Sequence, residues 1–255
     1  MREDLAPYVG VTGFTNRKQV EDALLAFTHT SRRLMVGVLA SYKSLRGMPL
    51  KPKWAVQTPH ADTLAELFVL YNRALNLVHY AADRVDLAHL ADDLALVAQY
   101  AGLCLDGFQL NVPWPDPDVL RWCRKTRTSF PIPPRFVLQV SVEAVAEAGG
   151  TMEGVASRLA AYEGLADYAL FDASGGQGKP LDAERALAFL RACDGSLVRL
   201  GVAGGLGADS LSLIMPVLAE FPFTSFDAQG KLQGKNGLDV AKMERYLARA
   251  ATLVR

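Results

Sequence analysis

The chain has 255 residues, half of them hydrophobic, and its 27 basic and 27 acidic side chains give a formal charge of zero. This composition supports a sizeable buried core and excludes global disorder. Because no basic stripe is present and no apolar run approaches the ~18 residues that span a bilayer, we expect neither nucleic acid nor a membrane as a partner.

The N-terminus lacks the apolar segment of a signal peptide. The three cysteines, Cys104, Cys123 and Cys193, are scattered without metal-ligand spacing. An odd number of scattered cysteines is atypical of a disulfide framework. We therefore expect a cytoplasmic protein without metal or cofactor, in which the cysteines are small buried hydrophobic residues.

Eight apolar runs predict buried strands, at residues 8–12, 34–40, 76–82, 107–112, 136–142, 167–172, 197–203 and 223–227. Most are nearly continuous in apolar residues, which is typical of parallel strands covered on both faces. Helical patterns, such as those over 63–71 and 87–97, lie between them. This alternation predicts an α/β fold, a single-domain (β/α)8 TIM barrel over residues 1–255, with a doubly wound open sheet as the alternative.

Residues 47–62 interrupt this alternation after the second strand, with prolines and no clean period. Proline fixes φ and removes a donor, so the segment predicts an ordered insertion rather than a regular element. In a barrel it would lie on the face where active sites form. Two roles are open for it, a lid that carries Trp54 and a loop packed on the rim.

Two glycine-rich segments, at residues 171–182 and 200–207, begin at the ends of the sixth and seventh predicted strands. Glycine lets the backbone approach a ligand closely, and the free N–H groups of a following helix favour an anion. Asp172 adds a carboxylate where the sixth strand ends. The pattern predicts a site for a phosphorylated small-molecule ligand.

The ends of the predicted strands resemble, in order, those of phosphoribosylanthranilate isomerase, the barrel enzyme of tryptophan biosynthesis. The segments that carry this resemblance are VGVTGFTN at 9–16, VGVLASYKSLR at 36–46, FQLN at 108–111, DASGGQGK at 172–179, AGGL at 203–206, FDAQG at 226–230 and KNGLD at 235–239. As an ordered set over the whole chain they favour this fold and superfamily.

The resemblance implies an Amadori rearrangement by acid–base catalysis, in which an aminoaldose opens to an imine, loses its C2 proton and becomes a 1-amino-ketose. It implies that Asp172 is the general acid and that Arg46 binds the substrate carboxylate. Asp227 ends the eighth strand, where it is predicted either to bind sugar hydroxyls or to close the barrel mouth. The predicted phosphate-binding residues are Gly176, Gly178, Lys179, Gly204, Gly205 and Gly230, with an ion pair to Asp182 as the alternative role of Lys179.

The chain departs from the family at the end of the first strand, where the general base of the family is a cysteine and this chain has Thr12. A hydroxyl is far less acidic than a thiol and needs a partnered base. Asn111 and Gln139 likewise replace a histidine and a lysine of the family. The base is therefore unidentified, and Asp83 is the nearest spare carboxylate, with the cap of the next helix as its favoured role.

Three functions remain open at this point: an isomerase on a phosphorylated sugar derivative, a barrel that binds such a metabolite without turnover, and an aldolase that uses Lys43 or Lys179 as a Schiff base. Whether the chain is a monomer or a homodimer is also open. Outside the site, we predict that His79 is a satisfied core or rim histidine. Four further acidic residues are assigned to helices: Asp116 or Asp118 is predicted to cap one, and Asp92 and Asp93 are predicted to lie on the solvated face of another.

Overall fold

The computed structural model describes residues 5–172 and 179–254. Within them, eight parallel strands pair in chain order, and the last pairs with the first to close a barrel. The closed barrel confirms the predicted (β/α)8 fold, and every predicted strand end lies within two residues of an observed one. The strands are β1 (Tyr8–Thr12), β2 (Arg33–Ser41), β3 (Ala74–Ala81), β4 (Gly107–Asn111), β5 (Arg135–Ser141), β6 (Tyr168–Asp172), β7 (Arg199–Ala203) and β8 (Ser225–Ala228).

Helices follow the strands around the outside of the barrel. Several begin at a side chain that accepts a hydrogen bond from the first turn, as Asp116 and Asp182 do; the predicted cap at Asp116 is thereby confirmed. The helices are α1 (Arg17–Ala26), α2 (Tyr42–Leu45), α3 (Pro52–Ala55), α4 (Leu64–Leu67), α5 (Leu90–Ala101), α6 (Pro117–Lys125), α7 (Val142–Glu147), α8 (Met152–Leu159), α9 (Ala183–Ala192), α10 (Met215–Glu220) and α11 (Val240–Leu253). A short ribbon of β9 (Gln233–Gly234) and β10 (Gly237–Leu238) precedes α11.

The helix predicted over 63–71 is shorter than its apolar pattern. α4 ends at Leu67, and Phe68 adopts an extended backbone conformation. Phe68 and Val69 are buried, so their apolar character reflects packing of the segment that enters β3 rather than a continued helix. The other pattern, over 87–97, becomes α5, which begins only at Leu90.

The core has two parts, one inside the barrel and one between the barrel and its helices. In the outer part Phe108 stacks on Phe136, and Phe171 on Phe189. Inside the barrel, strand side chains form an apolar plug of Tyr8, Met35, Leu75, Leu77, Val137, Tyr168, Leu170 and Ala203. Because every second side chain of a strand points inward, residues that follow the plug along the strands continue the interior toward the carboxyl-terminal mouth.

The proline-rich insertion packs at the carboxyl-terminal end of the barrel, and it includes the one-turn helix α3, which differs from the prediction that it holds no regular element. Gln57 is buried and accepts a hydrogen bond from Gln229 Nε2 at 3.1 Å, just after β8. The carbonyl of Val56 comes so close to Gly237 that a Cβ there would lie 2.6 Å from the carbonyl oxygen. This packing is that of a loop on the rim of the barrel, one of the two roles considered for the insertion. The other role, a lid that carries Trp54, stays a prediction.

Among residues 5–172 and 179–254, no helix has both the length and the apolar character needed to cross a membrane.

Candidate active site at the carboxyl-terminal mouth

The interior of the barrel changes from apolar to polar above the plug. His79, Gln139 and Asp172 each lie two residues beyond a plug residue of the same strand, so they face inward too. Thr12 and Asp227 lie at or near the ends of β1 and β8. Together with a glutamine of β4 they form what we name the polar layer, whose members are all more than nine-tenths buried: Thr12, His79, Gln109, Gln139, Asp172 and Asp227.

A chain of hydrogen bonds connects the two carboxylates of the polar layer. Gln139 Nε2 donates to Asp172 Oδ2 at 2.9 Å. Gln109 Nε2 lies 3.5 Å from both Gln139 Oε1 and Asp227 Oδ2, and Thr12 Oγ1 donates to Asp227 Oδ2 at 3.2 Å. The structure therefore brings together three predicted site residues, Thr12, Asp172 and Asp227. Gln109 and Gln139, which join them, were not predicted as site residues.

Asp227 has the electrostatic character of a proton acceptor. Burial raises the pKa of Asp227 to about 7, against the hydrogen bonds from Gln109 and Thr12, which lower it. Gly10 leaves room for the carboxylate, because a Cβ there would lie 2.7 Å from Asp227 Oδ1. A carboxyl group that titrates near neutral pH suits general acid–base catalysis.

His79 differs from the satisfied core or rim histidine predicted from the sequence. It is buried, but its Nδ1 atom has no hydrogen-bond partner among the residues that the structure describes. Burial lowers the pKa of His79 to about 4, although the charge of Asp172 opposes the shift. The imidazole is therefore neutral at pH 7. The sequence signal that could have placed His79 in the site is the alternation of inward-facing residues along β3, since His79 follows the inward-facing Leu77 by two positions.

Asp83, the carboxylate considered as a replacement base, lies at the surface. Its side chain is 66% exposed and pairs with Lys43 Nζ at 2.8 Å. The predicted cap is wrong, because the side chain makes no capping bond to the 3₁₀ turn at Arg84–His89. The hydrogen bond to Asp83 also raises the pKa of Lys43, which disfavours the neutral amine that a Schiff base requires.

Arg46 already binds a carboxylate of the protein. Its guanidinium donates to both oxygens of Asp93, at 2.7 and 3.1 Å, and lies 3.8 Å from the ring centre of Tyr42. Tyr80 Oη donates to the same carboxylate at 2.5 Å. Asp93 is 1% exposed, so the solvated face predicted for it is wrong, whereas Asp92 is exposed as predicted. A role of Arg46 toward a substrate carboxylate stays a prediction.

The glycine-rich turn after β7 has the backbone expected for a close approach. Gly204 and Gly205 have φ angles of +125° and +55°. A Cβ at Gly205 would overlap the carbonyl oxygen of Lys179, and one at Gly207 would lie 2.9 Å from Lys231 Cβ. The turn thus packs against the backbone of Lys179 and against the side chain of Lys231, and only Lys179 was predicted from the sequence.

Of the other predicted phosphate-binding glycines, the structure describes Gly230. Gly230 is exposed in the loop after β8, directly before Lys231. Gly176 and Gly178 lie outside the described residues.

Replacing Gly205 by Ala is expected to lower the free energy of unfolding by about 1–3 kcal/mol, because a left-handed backbone is strained for alanine and the new Cβ overlaps the neighbouring carbonyl. The matched control is Gly230→Ala, where a Cβ meets nothing within 4 Å. Urea unfolding of both variants provides the comparison. Equal stability of the two would show that the turn at 204–207 does not require its glycine.

The described part of the chain has no cluster of metal-ligating side chains, and two of its three cysteines have unreactive thiols. Residues 5–172 and 179–254 contain no group of three or more His, Cys, Asp or Glu side chains that could hold a metal. The cysteines are free; Cys123 and Cys193 are buried as predicted, and Cys104 is half-buried. Burial raises the pKa of Cys123 to about 12 and that of Cys193 to about 11, so neither is a ready nucleophile.

A cavity of about 590 Å³ lies at the opposite end of the barrel, with Arg33, Asn76 and Asp106 in its lining. These residues belong to the amino-terminal ends of the strands and the loops before them, which in such barrels serve stability rather than catalysis. We therefore place the candidate site at the polar layer.

No family model and no curated protein matches the chain. Among solved structures, it is similar to orotidine 5'-monophosphate decarboxylase from Methanocaldococcus jannaschii, with 8% identity and a TM-score of 0.55 over 98% of this chain and 99% of that one. It is also similar to the carboxyl transferase domain of Rhizobium etli pyruvate carboxylase, with 9% identity and a TM-score of 0.55 over 98% of this chain and 48% of that one. At such identities the likeness shows the fold alone, and that fold is a (β/α)8 barrel.

Proposed function

We propose that this barrel is an enzyme that isomerises a phosphorylated sugar derivative, in an Amadori-type reaction with acid–base catalysis. The observation that carries the proposal is the pair of buried carboxylates, Asp172 and Asp227, joined through Gln109 and Gln139 in one polar layer. Such an isomerisation needs one group that protonates a leaving oxygen and one that removes a proton from carbon. Two separate carboxylates fulfil both needs.

Asp172 is the proposed acid and Asp227 the proposed base. Asp172 protonates the ring oxygen while the C1–O bond breaks and the nitrogen lone pair forms the iminium. Asp227 removes the C2 proton, and the electrons of that C–H bond form the enolamine. Asp227 then returns the proton to C1 while the hydroxyl proton at C2 goes back to Asp172, which leaves the 1-amino-ketose and regenerates both groups.

Thr12 is a positioning residue in this proposal. It occupies the position at which the resembling family has its catalytic cysteine, and its hydroxyl donates to Asp227. A hydroxyl is a weak base by itself, but as a donor it orients the carboxylate and stabilises its ionised form. The missing thiolate is thus replaced by a carboxylate on the neighbouring strand of the closed barrel.

The turn at 204–207 supports a phosphate subsite. It packs against the backbone of Lys179 and against Lys231 Cβ, and loops after the seventh and eighth strands frequently bind phosphate in this fold. One of the similar barrels is named for a monophosphate substrate, orotidine 5'-monophosphate decarboxylase. That likeness is an analogy at the level of the fold.

A barrel that binds a phosphorylated metabolite without turnover is the second candidate. The observation that favours it is Thr12 at the position of the family's base. The two candidates differ in turnover and share the phosphate subsite.

Turnover of phosphoribosylanthranilate, followed by its fluorescence loss, tests the proposal. The wild type is expected to be active, and Asp172→Asn to lower kcat/KM about a hundredfold or more, because the amide cannot donate the required proton. Asp92→Asn, at an exposed carboxylate, is the control. Inactivity combined with thermal protection by phosphate esters would favour the binding protein, and the absence of both would refute the phosphate subsite.

A further inference from the structure

The polar layer contains two polar atoms that the proposed acid–base pair does not use. They are Nδ1 of His79 and Oε1 of Gln109, both buried and both without a hydrogen-bond partner among the described residues. We propose that His79 and Gln109 form a subsite for hydroxyl groups of the ligand's sugar chain. This inference rests on the proposed function, because it assigns one part of the phosphorylated ligand to the floor of the mouth.

The two side chains are neighbours on adjacent strands. His79 of β3 and Gln109 of β4 are register partners in the parallel ladder, so they point to the same face at the strand spacing of roughly 5 Å. Both lie directly above the apolar plug, whose Leu77 precedes His79 by two residues. A ligand that enters the mouth therefore meets this pair as it reaches the floor.

The hydrogen-bonding capacity of the pair suits hydroxyl groups. Gln109 directs its Nε2 toward Gln139 and Asp227, which leaves Oε1 as an acceptor. The neutral imidazole of His79 has one donor and one acceptor nitrogen. Because a hydroxyl both donates and accepts, one sugar hydroxyl can donate to Gln109 Oε1, and the same or the next hydroxyl can satisfy His79 Nδ1.

The charge around the pair argues against a phosphate or carboxylate at this position. The ionisable groups of the polar layer other than His79 are the carboxyl groups of Asp172 and Asp227, and burial keeps His79 neutral at pH 7. An anion at the floor would face carboxyl groups with no cationic side chain in the polar layer, whereas Lys179 and Lys231 belong to segments that pack against the turn 204–207. The arrangement favours a ligand with its phosphate at that turn and its hydroxyl groups at the floor.

Calorimetric titration with two probes tests the subsite: ribose 5-phosphate, and n-pentyl phosphate, which lacks the hydroxyl groups. The wild type is expected to bind ribose 5-phosphate about tenfold more tightly or better, as one or two neutral hydrogen bonds would give. His79→Leu and Gln109→Leu are each expected to remove most of this preference and to leave the affinity for n-pentyl phosphate unchanged. His89→Leu, at an exposed histidine, is the control; His79→Asn, which keeps an amide near the Nδ1 position, is expected to restore part of the preference.

A preference that persists in both leucine variants would overturn the proposal. If neither ester binds the wild type, the phosphate subsite is wrong, and the hydroxyl subsite is then tested alone by the imidazole NMR signals of His79 in wild-type protein titrated with unphosphorylated ribitol. A shift of those signals without a shift of the His89 signals would support the subsite. Unchanged His79 signals at saturating ribitol would refute it, even if a leucine variant failed to fold.

Discussion

Replacing Asp227 by Asn is expected to lower kcat/KM about a thousandfold and, at the same time, to make the protein more stable at pH 8. The loss of activity follows because an amide cannot accept the proton from carbon. The gain in stability follows because the variant no longer buries a charge: Asp227 is 5% exposed, and burial raises its pKa to about 7. If Asp227 only supported the fold, the Asp227→Asn variant would lose activity and stability together.

The direction of the pH dependence follows from the raised pKa. In the unfolded chain the carboxyl group has a pKa of about 3.9, so the folded protein binds the proton more tightly and is stabilised by it. This contribution is present in full below about pH 4 and is lost as pH rises through 7. At pH 8 the buried charge costs on the order of 4 kcal/mol relative to pH 4, and Asp227→Asn removes that cost.

Urea unfolding of the wild type and Asp227→Asn at pH 5 and pH 8 measures the effect, with kcat/KM followed over the same range. The wild-type kcat/KM is expected to rise with pH through a value near 7 as Asp227 ionises. Thr12→Val removes a hydrogen bond that lowers the pKa of Asp227, so the rise in kcat/KM is expected to move to higher pH. Thr12→Ser keeps that hydrogen bond and is expected to leave the rise at the wild-type pH. An Asp227→Asn variant that retains a tenth of wild-type activity would rule out the assigned base.

Replacing Arg46 by Ala is expected to lower the free energy of unfolding by about 2–4 kcal/mol, because it leaves a buried carboxylate without its cation. Asp93 is 1% exposed, and its remaining hydrogen bond in the cluster comes from Tyr80. The estimate is lower than for a fully buried pair, since the Arg46 side chain is 33% exposed. Urea unfolding curves give the value.

A double-mutant cycle separates this structural role from substrate binding. Arg46→Ala combined with Asp93→Asn is expected to be less destabilised than the sum of the two single variants, because the double variant leaves no uncompensated buried charge. If Arg46 instead served only a substrate carboxylate, Arg46→Ala would raise KM and leave stability unchanged. That outcome would contradict the pairing seen in the structure.

The sequence by itself determined the fold and the positions of the strand ends. Parallel strands covered on both faces must be apolar throughout, so β1 to β8 are visible as local runs, and the carboxylates Asp172 and Asp227 are visible because each lies at or next to such an end. The same reasoning failed at 63–71, where a buried connection has the same apolar pattern as a helix.

The tertiary structure alone decided which residues meet. Thr12 and Asp227 are 215 positions apart and touch because the barrel closes between β1 and β8. Burial, and with it the raised pKa of Asp227 and the lowered pKa of His79, depends on what surrounds each group in space. The periodicity of apolar residues shows which face of a helix or strand is buried and where each strand ends. Contacts between distant strands, and the pKa shifts that they cause, exist only once the barrel has closed.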